Sequence, residues 1–315
     1  MHMKKFSSFD RVIGKVSDNE KKKILKEKDE QFKDQKFEEL RDMEREKTLK
    51  ELKIINLANQ YTNEIRKKYG LSAFNILPEN IHIIKKDKWP KEGDAFYSSM
   101  MQAIALREQS ASIVFMKKVV HEMLHFKSYN SLQIITGNNS KISKISEYRV
   151  GLTVSARDGN EMHFRNFNEA VTEEITKNII TKLLNDPLFA EEIKKTGEII
   201  NRHYDAKMSN GEDLFDKDTF YAEMKNGSNK INAESFTKEK ERKILNILID
   251  KLFERNRESF KKREDIFEMF SKAMMTGNII PIGKLIDCTF GVGIFRKIGE
   301  LDKNIQEQEN FVSSL

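Results

Sequence analysis

A single cysteine, Cys288, stands among 315 residues, which excludes an internal disulfide and the disulfide-stapled class of small secreted domains. Long apolar runs are missing as well. Met1 to Asp18 holds nothing like the apolar core of a signal peptide, and the richest stretch, Ala273 to Phe295, is broken by Pro281, Lys284, Asp287 and four glycines. Secretion by that route and a membrane span are not expected, and a reducing, cytoplasmic setting is. Nor does one sign of charge dominate. With 56 Lys and Arg against 50 Asp and Glu the net charge is +6, and acids are spread throughout, so nucleic-acid binding is not indicated. The densest basic cluster, Lys261-Lys262-Arg263, reads as a solvated helix end. Residues 19 to 53 carry 12 basic and 11 acidic side chains, a mixture that favours a solvated helix with i to i+4 ion pairs. Phe32, Phe37, Leu40 and Met43 sustain no heptad. Gly291-Val292-Gly293 lacks a third glycine and a preceding strand, so no dinucleotide fingerprint is present. No internal repeat is visible.

What is present is His121-Glu122-Met123-Leu124-His125, an HExxH pattern. Residues four apart lie one above the other on a helix, so His121 and His125 can aim two imidazoles at one metal ion, and Glu122 can reach a water on it. In a chain with 6 His, chance alone produces such a pattern roughly once in a hundred sequences, so context has to decide. The context is apolar: Ile113, Val114, Met116, Val119, Val120, Met123, Leu124 and Phe126 predict a helix buried through a domain. A catalytic zinc needs a third protein ligand. The metzincin continuation would place Gly at 128 and His at 131, where this chain has Ser128 and Ser131, and is excluded. The better candidate lies 44 residues after His125, at Glu169. There Asn168 is expected to cap a helix with the apolar stripe Val171, Ile175, Ile179 and Leu183, which puts Glu169 in its first turn and Glu173 one turn later on the same face. Glu169 would ligate zinc, and Glu173 would accept the outer N–H of a ligating histidine. His163 is a fallback ligand, and Cys288 reads as a small buried apolar residue, with a thiol plugging the metal site as the alternative.

An HExxH helix followed by this downstream string resembles the gluzincins, the thermolysin-like zinc peptidases, and most of all their small members, the minigluzincins, whose second helix reads NExxSD. Here the string is Asn168-Glu169-x-x-Thr172-Glu173, with Thr and Glu in place of Ser and Asp. The resemblance covers roughly residues 50 to 184 and is specific at the two helices. It implies one Zn2+ held by His121, His125 and Glu169, with Glu122 as general base and Glu173 behind the first histidine.

The fold class expected is α+β: a small twisted β-sheet with the HExxH helix and the glutamate helix in a zincin-like arrangement, followed by a mainly α-helical C-terminal region. The expected divisions are a charged extension at 1–50, a catalytic domain at 51–184 and a helical subdomain at 185–315. A packed helix using Leu52, Ile55, Leu57, Ala58, Tyr61, Ile65 and Tyr69 ends at Gly70. Ile81 to Ile84 and Tyr97 to Leu106 read as strands, and the resemblance makes Gln102 to Leu106 the sheet edge along the substrate cleft, where an extended peptide could add as a strand. Tyr148 to Ser155 and Glu161 to Phe167 flank Asp158-Gly159-Asn160, a hairpin signal, and this hairpin offers Tyr148, Arg149 and His163 as stabilisers of a developing oxyanion. Further on, helices are expected at 187–204, 237–259 and 264–275, a loop at 208–235 and a turn at 277–283. The function expected is hydrolysis of peptides or proteins by a zinc metallopeptidase, with a contact from the C-terminal region that restrains the cleft. The alternative is an inactive metallopeptidase fold serving interaction or regulation.

Overall fold

The computed structural model of the chain describes residues 8–33, 42–90, 92–136, 142–156, 161–225 and 230–315. The charged N-terminal stretch makes strand β1 (Arg11–Ile13) and helix α1 (Asp18–Lys33). α1 carries exposed i to i+4 pairs, Lys23 with Glu27 and Lys26 with Glu30, in the manner the charge pattern predicts. Its inner face is packed all the same, because Ile24 joins Phe9 and Val12 against Leu132 and Ile134. A three-residue strand leaves too short a pattern to read. Phe37 and Leu40 lie outside the described residues.

Helix α2 (Leu49–Lys68) opens on a capping box: Thr48 Oγ1 accepts from the Glu51 N–H and Glu51 Oε2 accepts from the Thr48 N–H. The chain leaves the helix at Gly70, φ +74°, as expected. Of the expected stripe, Ile55 and Ala58 lie in the core and Leu57, Tyr61, Ile65 and Tyr69 pack against it, and the buried face also takes in Ile54, Asn59, Thr62 and Asn63. Strand β2 (Ile81–Ile84) falls where the pattern puts it. The segment 97–106 is not one strand. It turns at Ser99–Gln102, with Gln102 at φ +54°, and yields β3 (Ala95–Ser98) and β4 (Ala103–Arg107). β4 is the middle of a three-stranded sheet, parallel to β2 and antiparallel to β3. The free edge is therefore β3, not Gln102 to Leu106.

Helix α3 (Ser112–Lys127) follows, and every residue from Ile113 to Lys127 is buried, as befits a helix apolar on most of its circumference. Strands β5 (Asn130–Thr136), β6 (Ile142–Val150), β7 (Thr153–Ser155) and β8 (Met162–His163) join β1 in a five-stranded sheet of order β1-β5-β6-β7-β8. The expected hairpin pairs Val154 with His163 and Ser155 with Met162, and its tip at 158–160 lies outside the described residues. The strand stops two residues later, because helix α4 (Arg165–Leu183) has already begun.

Beyond α4 come α5 (Ala190–Arg202), then β9 (Thr219–Met224) and β10 (Ile231–Ser235), a hairpin within the segment expected to be loop, which packs on α5. Helices α6 (Glu239–Arg255), α7 (Arg263–Thr276), α8 (Ile280–Phe290), α9 (Ile294–Glu300) and α10 (Ile305–Ser314) complete the chain. The turn expected at 277–283 is shorter: Gly277, φ +75°, ends α7 and Pro281 already lies in the first turn of α8. Cys288, on α8, is exposed rather than buried, and lies away from the histidines' cleft. The architecture is α+β, with small sheets beside a dominant helical core. One apolar cluster runs from Phe32 to Val312 and joins the end of α1 to α2, α3, α4, α6, α7 and α8, so the core is continuous across residues 184 and 185. Among the described residues no helix is long and apolar enough to cross a membrane.

Candidate metal centre

α3 and α4 pack side by side and face each other with polar residues in an otherwise apolar contact. His121 Nε2 and His125 Nε2 lie 3.2 Å apart, and the Glu169 carboxylate reaches across from α4, 3.6 Å from the first and 3.5 Å from the second. An ion with ligands at about 2.0–2.1 Å in tetrahedral geometry requires neighbouring ligand atoms about 3.3–3.4 Å apart. Glu169 meets the two rings with different oxygens, Oε2 towards His121 and Oε1 towards His125, so the carboxylate straddles the pair close enough for one small divalent ion, and two buried imidazoles with one carboxylate are a donor set suited to zinc.

The route to this geometry differs from the one expected. α4 starts at Arg165, three residues before Asn168, with Phe164 in the left-handed region at φ +61° as its cap. The orphan N–H groups of Arg165 and Asn166 are taken by the Asp302 carboxylate, at 2.8 and 3.0 Å, from the far end of the sequence. Glu169 is thus in the second turn. Asn168, freed from capping, is buried between strand and metal helix. Its Oδ1 accepts from the Leu152 N–H at 2.9 Å, and its Nδ2 lies 3.2 Å from His125 Nδ1. A Cβ at residue 151 would fall 2.2 Å from Asn168 Oδ1, which is why Gly151 stands there, at φ +57°.

Glu173 sits behind the first histidine as expected, completely buried, with Oε2 2.7 Å from His121 Nδ1. Its other oxygen accepts from the Thr237 N–H at 2.7 Å and from Thr237 Oγ1 at 3.0 Å, and pairs with Lys117 Nζ at 2.8 Å. The next residue, Lys238, places Nζ 3.0 Å from Glu169 Oε2. Two of the donors thus have an outer partner suited to a metal ligand, Glu173 for His121 and Lys238 for Glu169, whereas Asn168 presents an N–H donor to His125 Nδ1. Such partners fix ring orientation and tautomer.

Electrostatics follow from burial and these pairings. Burial opposes charge on His121, but hydrogen bonds to Glu169 and Glu173 outweigh it and raise the imidazole to about 9. His125 has no such anchor, and burial, with the charges of His121 and Lys238, takes it down to about 4. Burial and the nearby Glu169 carboxylate push Glu122 up to about 7. For Glu169 burial acts upward, yet His125, His121 and Lys238 hold it well below the usual carboxylate range.

A cleft of about 770 Å3 opens over these groups, bordered by Ala95 and Tyr97 of β3, by α3, by Met162 and by Lys238. Because the Arg107 N–H bonds the Asp94 carbonyl, residues 94, 96 and 98 direct their backbone groups at β4, and those of Ala95 and Tyr97 face the open edge. The backbone of Tyr97 bonds to Glu122. Comparison with family models, curated proteins and solved structures finds no match to this chain.

The three residues expected at an oxyanion lie elsewhere. The Arg149 guanidinium is buried and donates to the carbonyls of Gly151 and Gly277, at 2.9 and 2.6 Å, tying β6 to the end of α7. His163 Nδ1 lies 3.2 Å from the Gly299 carbonyl, and neither it nor Tyr148 borders the cleft. Nothing brings His163 to the histidine pair. Sequence reasoning missed Lys117, Asn168 as a partner of His125, Thr237 and Lys238. For Lys117 the signal was available, since it lies one turn before His121 on the same face. Thr237 and Lys238 carried none: a Thr before an acidic helix start reads as a cap, whereas here Lys238 occupies the cap position and Thr237 bonds Glu173.

Proposed function

We propose that this protein is a zinc-dependent metallopeptidase of the gluzincin kind, with α3, α4 and the β2-β4-β3 sheet in a zincin-like arrangement. The observation that carries the reading is the convergence of His121 Nε2, His125 Nε2 and the Glu169 carboxylate, 3.2 to 3.6 Å from one another, beside a carboxylate that is not one of them. Zinc held there would polarise a peptide carbonyl and lower the pKa of a water toward about 7. The chain's own groups do the rest. Glu122, pushed up to about 7, accepts a proton from the attacking water and passes it to the leaving amine. The β3 edge, with the N–H and carbonyl of Ala95 and the carbonyl of Tyr97 turned outward, holds an extended peptide across the site by main-chain hydrogen bonds, while the Tyr97 N–H is held by Glu122. Both helices are tied at their outer side by Glu173, so the donors need little reorganisation.

The test combines metal analysis of the purified protein with digestion of a peptide library. One zinc per chain with cleavage supports the reading. Zinc without cleavage of any peptide leaves the binding or regulatory alternative, and failure to take up zinc removes the metal centre itself.

A further inference from the structure

A peptidase of this kind needs a donor where negative charge develops on the carbonyl oxygen, and Tyr148, Arg149 and His163 are all engaged elsewhere or away from the cleft. We propose that Lys238 is that donor. The assignment rests on the peptidase reading and goes beyond it, since it gives a catalytic part to a residue from the hairpin-to-α6 junction.

Four observations carry it. The Lys238 ammonium borders the cleft and stands 3.0 Å from Glu169 Oε2, next to the three converging donors. An ammonium has three N–H groups; Glu169 takes one, and about a third of the side chain remains open to the cleft. The neighbouring cations are committed or peripheral: Lys117 to Glu173 and Thr237, Lys118 to Asp94 and Gln109, while Arg165 is exposed at the rim. The root of the side chain is fixed as well. Lys238 holds φ +60°, a left-handed conformation unfavourable for a residue with a Cβ, while the preceding Thr237 is clamped on Glu173 through both its N–H and its hydroxyl, and the Lys238 carbonyl accepts the Arg242 N–H. Backbone strain of this sort persists where surrounding structure over-determines it, and it gathers at functional sites. A preorganised donor is what an oxyanion requires.

In the reaction, the water oxygen bonds to the carbonyl carbon as its proton goes to Glu122, and the C=O electron pair moves onto the carbonyl oxygen. Lys238 hydrogen-bonds that oxygen and keeps its own protons. When the C–N bond breaks, the pair returns and the nitrogen leaves with the proton from Glu122. Lys238 therefore contacts the charged oxygen more strongly than the neutral carbonyl.

The test uses the zinc-loaded full chain and a phosphonamidate peptide, whose phosphoryl oxygens mimic the charged oxygen. Lys238→Met keeps the backbone requirement and side-chain length while deleting the charge. Zinc per chain is measured first. Phosphonamidate affinity and the affinity of the corresponding uncleaved peptide, the latter in a Glu122→Gln background, follow by calorimetry. The expected result is one zinc per chain, kcat and phosphonamidate affinity both lower by roughly 10²-fold, and peptide affinity within about threefold. Lys238→Arg should restore part of the loss. Unchanged phosphonamidate affinity, equal loss of both ligands, or loss of zinc overturns the assignment while the peptidase reading stands. If the wild-type chain neither binds the phosphonamidate nor cleaves peptides, the peptidase reading fails, and the role of Lys238 with it.

Discussion

The middle and the last residue of one helix solve the same problem in opposite ways. Towards the middle of α3, His121 is buried beside Glu173 and Glu169; at its last residue, Lys127 is completely buried with no carboxylate near it. Lys127 Nζ bonds Asn59 Oδ1, Thr62 Oγ1 and Asn63 Oδ1 at 2.9, 2.9 and 3.0 Å, all of them neutral oxygens on α2. Burial opposes charge at both sites. At His121 the carboxylates win and the group rises to about 9, whereas at Lys127 burial wins, with the Arg66 charge acting the same way, and the amine falls to about 6. Neutral oxygens satisfy a buried nitrogen's geometry without holding its proton. The contrast also explains why α2 buries the polar Asn59, Thr62 and Asn63 beside its apolar stripe: they meet Lys127.

The sharpest way to separate the two is Glu122→Gln. Removing the proposed general base should lower hydrolysis by 10²-fold or more, with on the order of 10²–10⁴ usual for such groups, while zinc content and melting temperature stay as in the parent. Retained cleavage by the Glu122→Gln protein would sink the mechanism. At the last residue of α3 the loss should fall on stability. Lys127→Ala opens a cavity and deletes the bonds to α2, and about 3 kcal/mol of unfolding free energy should go with it in a denaturant titration. Lys127→Met, which refills the volume, should recover most of that. Its pH profile should also change. The unfolded chain holds this proton up to about 10.5, and the folded chain releases it at about 6, so parent stability rises with pH between those values and the Met variant lacks that rise.

Intermediate effects belong to the outer partners of the histidines. Glu173→Gln should weaken zinc binding by about 10- to 100-fold in competition with a chelating dye, and Asn168→Ala, which loses the bond to the Leu152 N–H, should act on stability more than on zinc. An Asn168→Ala protein that loses as much zinc affinity as Glu173→Gln would overturn that division. The smallest effect is a proton count. Because His121 stays protonated up to about 9 without metal, zinc uptake near pH 7 should release about one proton and apparent affinity should rise roughly tenfold per pH unit below that value, flattening above it. Calorimetry in two buffers of different ionisation enthalpy measures the release, and equal heats in both would place the proton elsewhere.

What could be read from the sequence was whatever repeats locally. The spacing of His121 and His125, the apolar surroundings of α3, and the one-turn separation of Glu169 and Glu173 are helical periodicities, and all lie within a few residues. What could not be read depends on contacts between distant segments. Asn168 looked like a cap because the residue that actually caps α4, Asp302, is more than 130 residues away. β3 and β4 looked like one strand because the turn between them contains no glycine or proline and Gln102 takes the positive φ. The hairpin β9–β10 hid in a polar stretch, since only Phe220, Tyr221 and Ala222 bury fully. Arg149 and His163 were plausible donors by proximity in sequence, yet a strand residue aims at whatever packs over it, here the carbonyls of Gly277 and Gly299.

The grip of Asp302 on the start of α4 also sets an order of events during synthesis. α3 and its histidines leave the ribosome early, but the first turn of the glutamate helix has no cap until residue 302 has been added, 133 residues after Glu169. At 5–20 residues per second that gap is about 7 to 27 s. Over that interval the nascent chain owns two imidazoles and a third arm whose first turn is uncapped, so the three side chains are held together in full only after residue 302 has been added.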